Sequence, residues 1–298
     1  MVDAKTKVIG LIGHPVEHSF SPIMHNAAFK DKGLNYVYVA FDVLPENLKY
    51  VIDGAKALGI VGFNVTIPHK IEIMKYLDEI DKDAQLIGAV NTIKIEDGKA
   101  IGYNTDGIGA RMALEEEIGK VKDKNIVIYG AGGAGRAVAF ELAKDNNIII
   151  ANRTIEKAEN LAKEISEKLN KKFGEEVKFS GLDVDLDGVD IIINATPIGM
   201  YPNVDAEPIV KAENMREDMV VMDLIYNPLE TVLLKEAKKV NAKTINGLGM
   251  LIYQGAVAFK IWTGVEPNIE VMKNAIIDKI INHSSHQADR YINTLILN

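Results

Sequence analysis

The stretch IVIYGAGGAGRAVAFELAK has the residue spacing best suited to chemistry. Gly130, Gly132 and Gly135 form a G-x-G-x-x-G pattern between a β-branched run and a helical pattern. Such glycines permit a tight turn and a close backbone approach to a pyrophosphate, while the helix N-terminus supplies unpaired N–H groups. The pattern alone is weak evidence, but the strand–loop–helix context makes it strong. We predict a dinucleotide site; the alternative is a glycine-rich turn that binds nothing.

The residues that end the next strand indicate which dinucleotide binds. Asn152, Arg153 and Thr154 stand where an NAD-binding loop carries an acid for the ribose hydroxyls. Asn does not repel a 2′-phosphate, and the Arg guanidinium is a fork-shaped donor suited to phosphate oxygens. Thr154 offers a hydroxyl and could also cap the helix that starts at Ile155. The pattern favours NADP(H) over NAD(H), unless Arg153 is only a solvated surface charge.

Two serines that precede the first helical pattern suit an anionic substrate. Ser19 and Ser21 flank Phe20, and Pro22 opens the helical pattern. Their hydroxyls and the helix amides could receive a carboxylate. Serine is also among the best N-cap residues, so the sequence supports an anion site and a helix cap about equally.

A lysine and several polar residues extend this candidate substrate site. The motif NVTIPHK ends an apolar strand with Asn64, Thr66 and Lys70. A Lys that faces a cleft can transfer protons when its surroundings lower its pKa, although most lysines are simply solvated. AVNT and YNTDG add Asn91 and Asp106, although Asn-Thr-Asp-Gly is also typical of a turn. Together these groups suit a polyhydroxylated anion.

Histidines are the alternative acid–base candidates. His14 and His18 have helical spacing and His25 is nearby, but Pro15 interrupts the interval. The chain has no cysteine and no H-E-x-x-H motif. We therefore predict no metal site, disulfide or cysteine nucleophile.

The elements that must position these residues alternate β-branched runs with helical patterns, which is typical of βα units around a mainly parallel sheet. The predicted strands are 7–13, 36–43, 61–66, 126–129, 147–151, 177–180, 190–194, 220–223 and 243–245, with a hairpin at 92–103 that turns at Asp97-Gly98. The predicted helices are 22–33, 45–59, 107–119, 134–144, one starting at Ile155, one from Gly247 and one at about 268–282.

We predict an α/β protein of two domains with a cleft between them. An N-terminal α/β substrate domain with a mainly parallel sheet comprises 1–105 plus 247–282, because the last helices could return to it. A Rossmann-type NADP-binding domain comprises 106–246. Residues 283–298 form a tail whose native or vector origin the sequence leaves open.

The bulk composition excludes several other classes of protein. The 298 residues suffice for two domains, and 47% hydrophobic content suffices for their cores. A net charge of −8 without a basic run argues against nucleic-acid binding. There is no signal-peptide pattern and no apolar run of the roughly 18 residues that span a bilayer. We expect a cytoplasmic protein that does not bind membranes.

The motifs, taken in order, resemble the shikimate dehydrogenase family from about residue 7 to residue 282. The matching segments are GHPVEHSFSPIMHN, NVTIPHK, GAVNT, YNTDG, GAGGAG, NRT, NATPIGM, DLIYNPLET and NGLGMLIYQGAVAF. The resemblance implies reversible NADPH-dependent reduction of 3-dehydroshikimate to shikimate in aromatic amino-acid biosynthesis. It also implies two hinged domains, no metal, and a monomer or homodimer.

The resemblance implies a role for each matching residue. Lys70 would be the catalytic acid/base, and Asp106 would pair with it. The implied substrate contacts are Ser19 and Ser21 for the carboxylate, with Asn64, Thr66, Lys70, Asn91, Asp106, Tyr226 and Gln254. The implied cofactor contacts are Gly130, Ala131, Gly132, Gly133, Ala134, Gly135, Asn152, Arg153, Thr154, Thr196, Leu224 and Gly247.

Two other functions remain open from the sequence. A quinate/shikimate dehydrogenase with broader cofactor use would need only small differences near Ser19, Ser21 and Thr66. A catalytically silent shikimate or nucleotide sensor would be expected to lack Lys70 or Asp106, and both are present.

Overall fold

The structure is a computed structural model that describes residues 2–284. The predicted tail at 283–298 lies outside these residues, except for 283 and 284 at the end of the last helix. The strands are β1 Lys7–Gly13, β2 Tyr36–Asp42, β3 Gly62–Val65, β4 Glu79–Ile80, β5 Thr92–Glu96, β6 Lys99–Tyr103, β7 Asn125–Tyr129, β8 Asn147–Ala151, β9 Val177–Ser180, β10 Ile191–Asn194, β11 Val220–Asp223 and β12 Lys243–Ile245.

The α-helices are α1 Ser21–Asp31, α2 Val51–Leu58, α3 Lys82–Ile87, α4 Asp106–Ile118, α5 Gly133–Ala143, α6 Ile155–Leu169, α7 Val232–Lys239, α8 Leu248–Thr263 and α9 Ile269–Ser284. Short 3-10 helices occur at Pro45–Tyr50, Glu72–Tyr76 and Ala212–Asn214. Among the described residues, no helix combines the length and the apolar character that crossing a bilayer requires.

The described chain divides into two compact units. The first comprises 2–79, 92–102 and 255–284, and the second comprises 80–91 and 103–254. The described chain has two six-stranded sheets, and most of each sheet lies in one unit. The predicted α/β class with mainly parallel sheets is confirmed.

The sheet of the first unit has the order β2-β1-β3-β5-β6-β4. β1 pairs in parallel with β2 and β3, whereas β3 and β5 are antiparallel. The predicted hairpin turn is confirmed, because Asp97 and Gly98 both have positive φ angles, of 51° and 76°, as a two-residue turn between twisted strands requires. The helix predicted at 45–59 begins as a 3-10 turn and ends at Gly59, whose φ of 68° terminates it.

Aromatic rings form the core of the first unit next to α1. His25 stacks on Tyr38 with ring centroids 4.5 Å apart, and Trp262 of α8 meets His25 edge-on at 5.4 Å. Phe29 of α1 stacks on Phe259 of α8 at 4.9 Å. These contacts pack α1 against helix α8.

The sheet of the second unit has the order β12-β11-β10-β7-β8-β9, and every neighbouring pair is parallel. The strand order reverses between β7 and β10, which is the switch point of a doubly wound Rossmann sheet. Ligands of such sheets bind at the carboxyl ends of the strands beside the switch point. The isoleucine-rich strands are buried on both faces, as expected for a parallel sheet covered by helices on both sides.

Candidate functional site

The glycine loop follows β7 and opens α5 at the switch point. Gly130 has a φ of 108°, and a Cβ there would lie 2.9 Å from the Ala195 carbonyl oxygen. Gly132 occupies the N-cap position of α5. A Cβ on Gly132 would meet no heavy atom within 4 Å. The loop therefore packs tightly on its inner side and leaves the helix N-terminus open on its outer side, which fits a pyrophosphate.

The segment after β8 lies against this loop. The Asn152 Oδ1 accepts a hydrogen bond from the Ala131 N–H at 3.3 Å, and its Nδ2 donates to the Thr154 carbonyl at 2.9 Å. Arg153 and Thr154 are exposed beside it. Thr154 occupies the N-cap position of α6 but its side chain makes no capping hydrogen bond. The alternative that Thr154 serves as a side-chain cap is therefore wrong, and both side chains face solvent where a 2′-phosphate could be bound.

A buried polar network joins the carboxyl ends of β10 and β11. The Asp223 carboxylate accepts hydrogen bonds from Thr231 Oγ1 at 2.6 Å, the Ile225 N–H at 3.0 Å and Asn194 Nδ2 at 3.1 Å. Asn194 Oδ1 in turn accepts from the N–H and the hydroxyl of Thr196, at 2.9 and 2.7 Å. Burial raises the pKa of Asp223 to about 6, although these hydrogen bonds oppose the shift.

This network supports three predicted residues. Thr196 is fixed through Asn194, and the Leu224 N–H donates to the Asn194 carbonyl at 2.9 Å. Gly247 packs directly on the Leu224 carbonyl, and a Cβ on Gly247 would also lie 2.8 Å from the carbonyl carbon of Ile225. Thr196, Leu224 and Gly247 thus belong to one end of the sheet. Tyr226 follows in the same segment, where burial raises its pKa.

Four buried polar residues form a cluster elsewhere in the second unit. Asn91 Nδ2 donates to Asp106 Oδ1 at 2.8 Å and lies 2.9 Å from Thr105 Oγ1. The Thr105 N–H donates to Asn91 Oδ1 at 2.8 Å, and Gln254 Oε1 lies 3.4 Å from Thr105 Oγ1. α4 approaches Gln254 closely because it carries Gly109, whose Cβ would lie 2.7 Å from the Gln254 backbone nitrogen. The structure therefore brings together the predicted residues Asn91, Asp106 and Gln254.

The predicted turn at Asn104 is also present. Asn104 Oδ1 accepts from the Asp106 N–H at 3.0 Å, and its Nδ2 donates to the Ala89 carbonyl at 2.9 Å. Asn104 therefore shapes the start of α4, while the Asp106 side chain is bound to Asn91. The turn and the functional interpretation of this motif apply to different residues.

Neither serine of the first unit occupies the N-cap position of α1. The helix begins at Ser21, one residue before the predicted start, and Phe20 occupies the N-cap position without a side-chain cap. Ser19 Oγ accepts from the Ser21 N–H at 3.2 Å, and Ser21 is buried. Neither serine is therefore the N-cap residue itself, although the Ser19 hydroxyl accepts the N–H of the first helical residue.

The motif after β3 is partly buried. Asn64 is 4% exposed and lies between the Tyr38 hydroxyl, which donates to its Oδ1 at 2.8 Å, and Thr92 Oγ1 at 3.1 Å from its Nδ2. Thr66 forms the following turn, in which the His69 N–H donates to its carbonyl at 2.9 Å. Lys70 ends this turn and is half-buried. Ser19, Ser21, Asn64, Thr66 and Lys70 all belong to the first unit.

The histidines of the alternative interpretation make different contacts. His14 Nδ1 lies 2.7 Å from Asp42 Oδ1, and both side chains are largely exposed. His25 is buried among aromatic rings. Within residues 2–284 no group of three or more His, Asp and Glu side chains could hold a metal ion.

Sequence reasoning missed several residues of these clusters. Tyr38, Thr92 and Thr105 hold predicted site residues, and Asn194 and Asp223 organise the ends of β10 and β11. Asp223 gave a usable signal, because a carboxylate that directly ends an apolar strand needs a buried partner. Tyr38 gave none, since aromatic residues are ordinary in strands.

Comparisons with known proteins cover nearly the whole of the described chain. The sequence model for the shikimate dehydrogenase substrate binding domain matches residues 11–93. The models for shikimate/quinate 5-dehydrogenase and for the shikimate 5′-dehydrogenase C-terminal domain match residues 112–249 and 247–277. Shikimate dehydrogenase (NADP(+)) of Methanocaldococcus jannaschii is 96% identical over 280 residues, which are 94% of this chain and 99% of that protein.

Solved structures agree with these matches. A crystal structure of shikimate dehydrogenase in complex with NADP+ has a TM-score of 0.93 at 96% identity and covers 94% of this chain and 98% of its own. Quinate dehydrogenase from Corynebacterium glutamicum in complex with NAD has a TM-score of 0.84 at 32% identity, and covers 92% of this chain and 99% of its own.

Proposed function

The chain belongs to the shikimate dehydrogenase family, and on that premise we propose that Lys70 and Asp106 are the acid–base pair of its reaction. The reaction is the reversible NADPH-dependent reduction of 3-dehydroshikimate to shikimate, a step of aromatic amino-acid biosynthesis. The chain is thus an NADP-dependent oxidoreductase that acts on a CH–OH group.

The observation that carries the site proposal is the buried Asn91–Asp106 hydrogen bond. Asp106 is 4% exposed, and a buried carboxylate needs hydrogen-bond donors. Asn91 supplies one at 2.8 Å. A carboxylate held in this way can orient an ammonium group and accept a hydrogen bond from a substrate hydroxyl at the same time, because it has two oxygens and several lone pairs.

The residues present also fit the cofactor. The open side of Gly132 at the start of α5 fits a pyrophosphate, and exposed Arg153 beside Asn152 fits a 2′-phosphate. When bound, NADP(H) supplies or accepts the hydride. The proposed contacts are Gly130, Ala131, Gly132, Gly133, Ala134, Gly135, Asn152, Arg153, Thr154, Thr196, Leu224 and Gly247.

The residues of the chain handle the proton and orient the substrate. In reduction, the Lys70 ammonium donates a proton to the carbonyl oxygen of 3-dehydroshikimate, and in oxidation the Lys70 amine takes it back from the hydroxyl. Ser19 and Ser21 hold the carboxylate. Other substrate contacts are proposed for Asn64, Thr66, Asn91, Asp106, Tyr226 and Gln254. A site that hydrogen-bonds each hydroxyl rejects analogues that leave a buried group unpaired.

We also propose that residues 1–105 with 247–282 serve the substrate and 106–246 serve NADP, and that the chain works in the cytoplasm as a monomer or homodimer. Residues 80–91, 103–105 and 247–254 pack with the second compact unit. The boundaries of the compact units therefore differ from the proposed boundaries of the substrate and NADP domains.

The experiment that tests the function follows the absorbance of the reduced nicotinamide. The purified protein is given shikimate or quinate with NADP+ or NAD+. Turnover confined to shikimate with NADP+ is the expected result. Comparable rates with quinate or NAD+ would favour the broader quinate/shikimate dehydrogenase. Absence of turnover in all four mixtures would favour the sensor.

A further inference from the structure

We propose that Tyr38 is a positioning residue of the substrate site, whose hydroxyl holds Asn64 of β3 against helix α1 where Ser21 lies. The proposal rests on the function given above, because it takes Ser21 and Asn64 as substrate contacts. It concerns a residue that makes no substrate contact itself and acts through these two side chains.

The first step of the argument is the contact of the Tyr38 hydroxyl. Its proton is donated to Asn64 Oδ1 at 2.8 Å, and Thr92 Oγ1 lies 3.1 Å from Asn64 Nδ2 on the other side. Both ends of the Asn64 amide are therefore held by hydroxyls. Without the Tyr38 hydroxyl, the amide oxygen would lose this restraint, and the terminal torsion of an Asn side chain has a broad minimum.

The second step is the link to Ser21. Burial raises the pKa of Tyr38 well above its usual range, and a hydrogen bond with the Ser21 hydroxyl offsets part of that shift. The phenol consequently keeps its proton at every physiological pH. A phenolic hydroxyl has one proton and two lone pairs, so it can serve Asn64 and Ser21 together. Tyr38 thereby connects two side chains that come from different elements, β3 and α1.

The third step is that Tyr38 is itself immobilised. The side chain of Asn26 in α1 pairs with the Tyr38 backbone, since its Oδ1 accepts from the Tyr38 N–H at 2.9 Å and its Nδ2 donates to the Tyr38 carbonyl at 2.8 Å. The ring stacks on His25, with centroids 4.5 Å apart and an interplanar angle of 17°. Trp262 lies 6.1 Å from it. The Tyr38 hydroxyl can therefore fix the position of Asn64, because the Tyr38 backbone and ring are themselves held in place.

The test is Tyr38→Phe, which removes the hydroxyl and keeps the ring with its stacking. We expect the KM for shikimate to rise about tenfold, the factor that corresponds to one lost neutral hydrogen bond. The kcat and the KM for NADP+ should stay within about twofold of the wild type, since only ground-state positioning of the substrate is impaired. Tyr36→Phe is the matched control, because Tyr36 lies two residues away in β2 and its ring packs on Phe29 at 5.2 Å.

The single tryptophan of the chain allows the fold to be checked at the same place. Trp262 is the only tryptophan, and it lies in the same aromatic cluster as Tyr38. Its emission spectrum should be the same in wild type and Tyr38→Phe, and the thermal midpoint should fall by only the few degrees that one lost buried hydrogen bond costs. An unchanged KM for shikimate would overturn the proposal. The proposal would also be overturned if Tyr38→Phe lowered kcat, raised the KM for both shikimate and NADP+ and altered the Trp262 emission, since that combination indicates a packing defect.

Shikimate binding measured by calorimetry separates this proposal from the function itself. If the wild type binds shikimate without converting it, the proposed reaction fails, while a weaker affinity of Tyr38→Phe would still support the positioning role. If the wild type does not bind shikimate, both proposals fail. If it converts shikimate and Tyr38→Phe behaves as wild type, only the positioning role is overturned.

Discussion

Gly135, in the first turn of α5, packs on the carbonyl group of Gly130 at the end of β7. A Cβ on Gly135 would lie 2.9 Å from the Gly130 carbonyl carbon and closer still to its oxygen. Gly132, only three residues earlier, has no such neighbour. The two glycines thus serve different physical purposes. Gly135 lets the helix pack closely on the end of the strand, and Gly132 leaves space for a ligand.

This difference predicts opposite results for two alanine variants. Gly135→Ala should lower the free energy of unfolding by about 1–3 kcal/mol, the usual cost of overpacking. Gly132→Ala should keep the thermal midpoint but raise the KM for NADP+, because its methyl group would stand where a pyrophosphate approaches. Thermal melts with and without NADP+ would check both. A Gly132→Ala variant with unchanged cofactor affinity would contradict the assignment of this loop.

Arg153 should decide the choice between the two nicotinamide cofactors. Removing the guanidinium in Arg153→Ala should raise the KM for NADP+ about 10–100-fold, the effect of losing a charged hydrogen bond, and should change the KM for NAD+ little. Lys157→Ala, one turn into α6, is the matched control for the loss of a nearby positive charge. Equal effects of Arg153→Ala on both cofactors would show that the 2′-phosphate is bound elsewhere.

Lys70 should control the rate more than substrate affinity. Lys70→Ala is expected to reduce kcat about 10²–10⁴-fold, the contribution typical of a general acid or base, while shikimate binding is largely kept. Lys75, five residues later, is exposed and paired with Glu72 at 2.8 Å, so Lys75→Ala should leave kcat unchanged. Steady-state rates with shikimate and NADP+ measure both variants. Normal turnover of Lys70→Ala would remove this residue from the mechanism.

His25 should make the protein sensitive to acid. Burial among aromatic rings lowers the pKa of His25 from 6.5 to about 3, although a hydrogen bond with the Asn64 side chain opposes the shift. Between these pH values His25 is protonated in the unfolded chain but neutral in the folded protein. The free energy of unfolding therefore falls as pH falls from about 6.5 to about 3. The full effect is at most about 5 kcal/mol.

The variant His25→Phe keeps an aromatic ring in this cluster and removes the titration. Urea unfolding at pH 7 and pH 4 should therefore show a smaller loss of stability in acid for His25→Phe than for the wild type. The same pH slope in both proteins would refute this account of His25.

Asp223 should change the pH dependence of stability in the direction opposite to His25. Its folded-state pKa is raised from 3.8 to about 6, so between these values the folded protein binds more protons than the unfolded chain. Stability contributed by this carboxyl therefore falls as pH rises from about 4 to about 6, by at most about 3 kcal/mol. Asp223→Asn should remove this fall. Unfolding free energies of variant and wild type at pH 4 and pH 7 test it, and parallel pH profiles would contradict it.

The fold could be predicted from the sequence because its elements carry strong local patterns. The β-branched runs that became β7, β8 and β10 are bounded by turn residues, and the Asp97-Gly98 dipeptide is specific for its turn. The start of α1 could not be fixed in the same way. Ser19 and Ser21 are both good cap residues by type, yet Phe20 between them occupies the N-cap position, which the cap preferences of the residues do not predict.

The candidate site was predicted less completely, for a reason that applies to many enzymes. Motif residues such as Asn91 and Asp106 are polar at positions where local structure does not require it, and this made them visible. The residues that hold them are ordinary in composition. Tyr38 is one of several aromatic residues in β2, and its partner Asn64 is far away in the sequence, so no local pattern could join them.

The aromatic cluster around Tyr38 has a consequence for synthesis on the ribosome. Its members Phe29 and Tyr38 are made early, but Phe259 and Trp262 are made only near the end. The second unit, at 80–91 and 103–254, is complete before those last two residues appear. Since domains fold as units once their chain is available, nascent protein can finish its Rossmann sheet first. The part that is translated first is then the part that matures last.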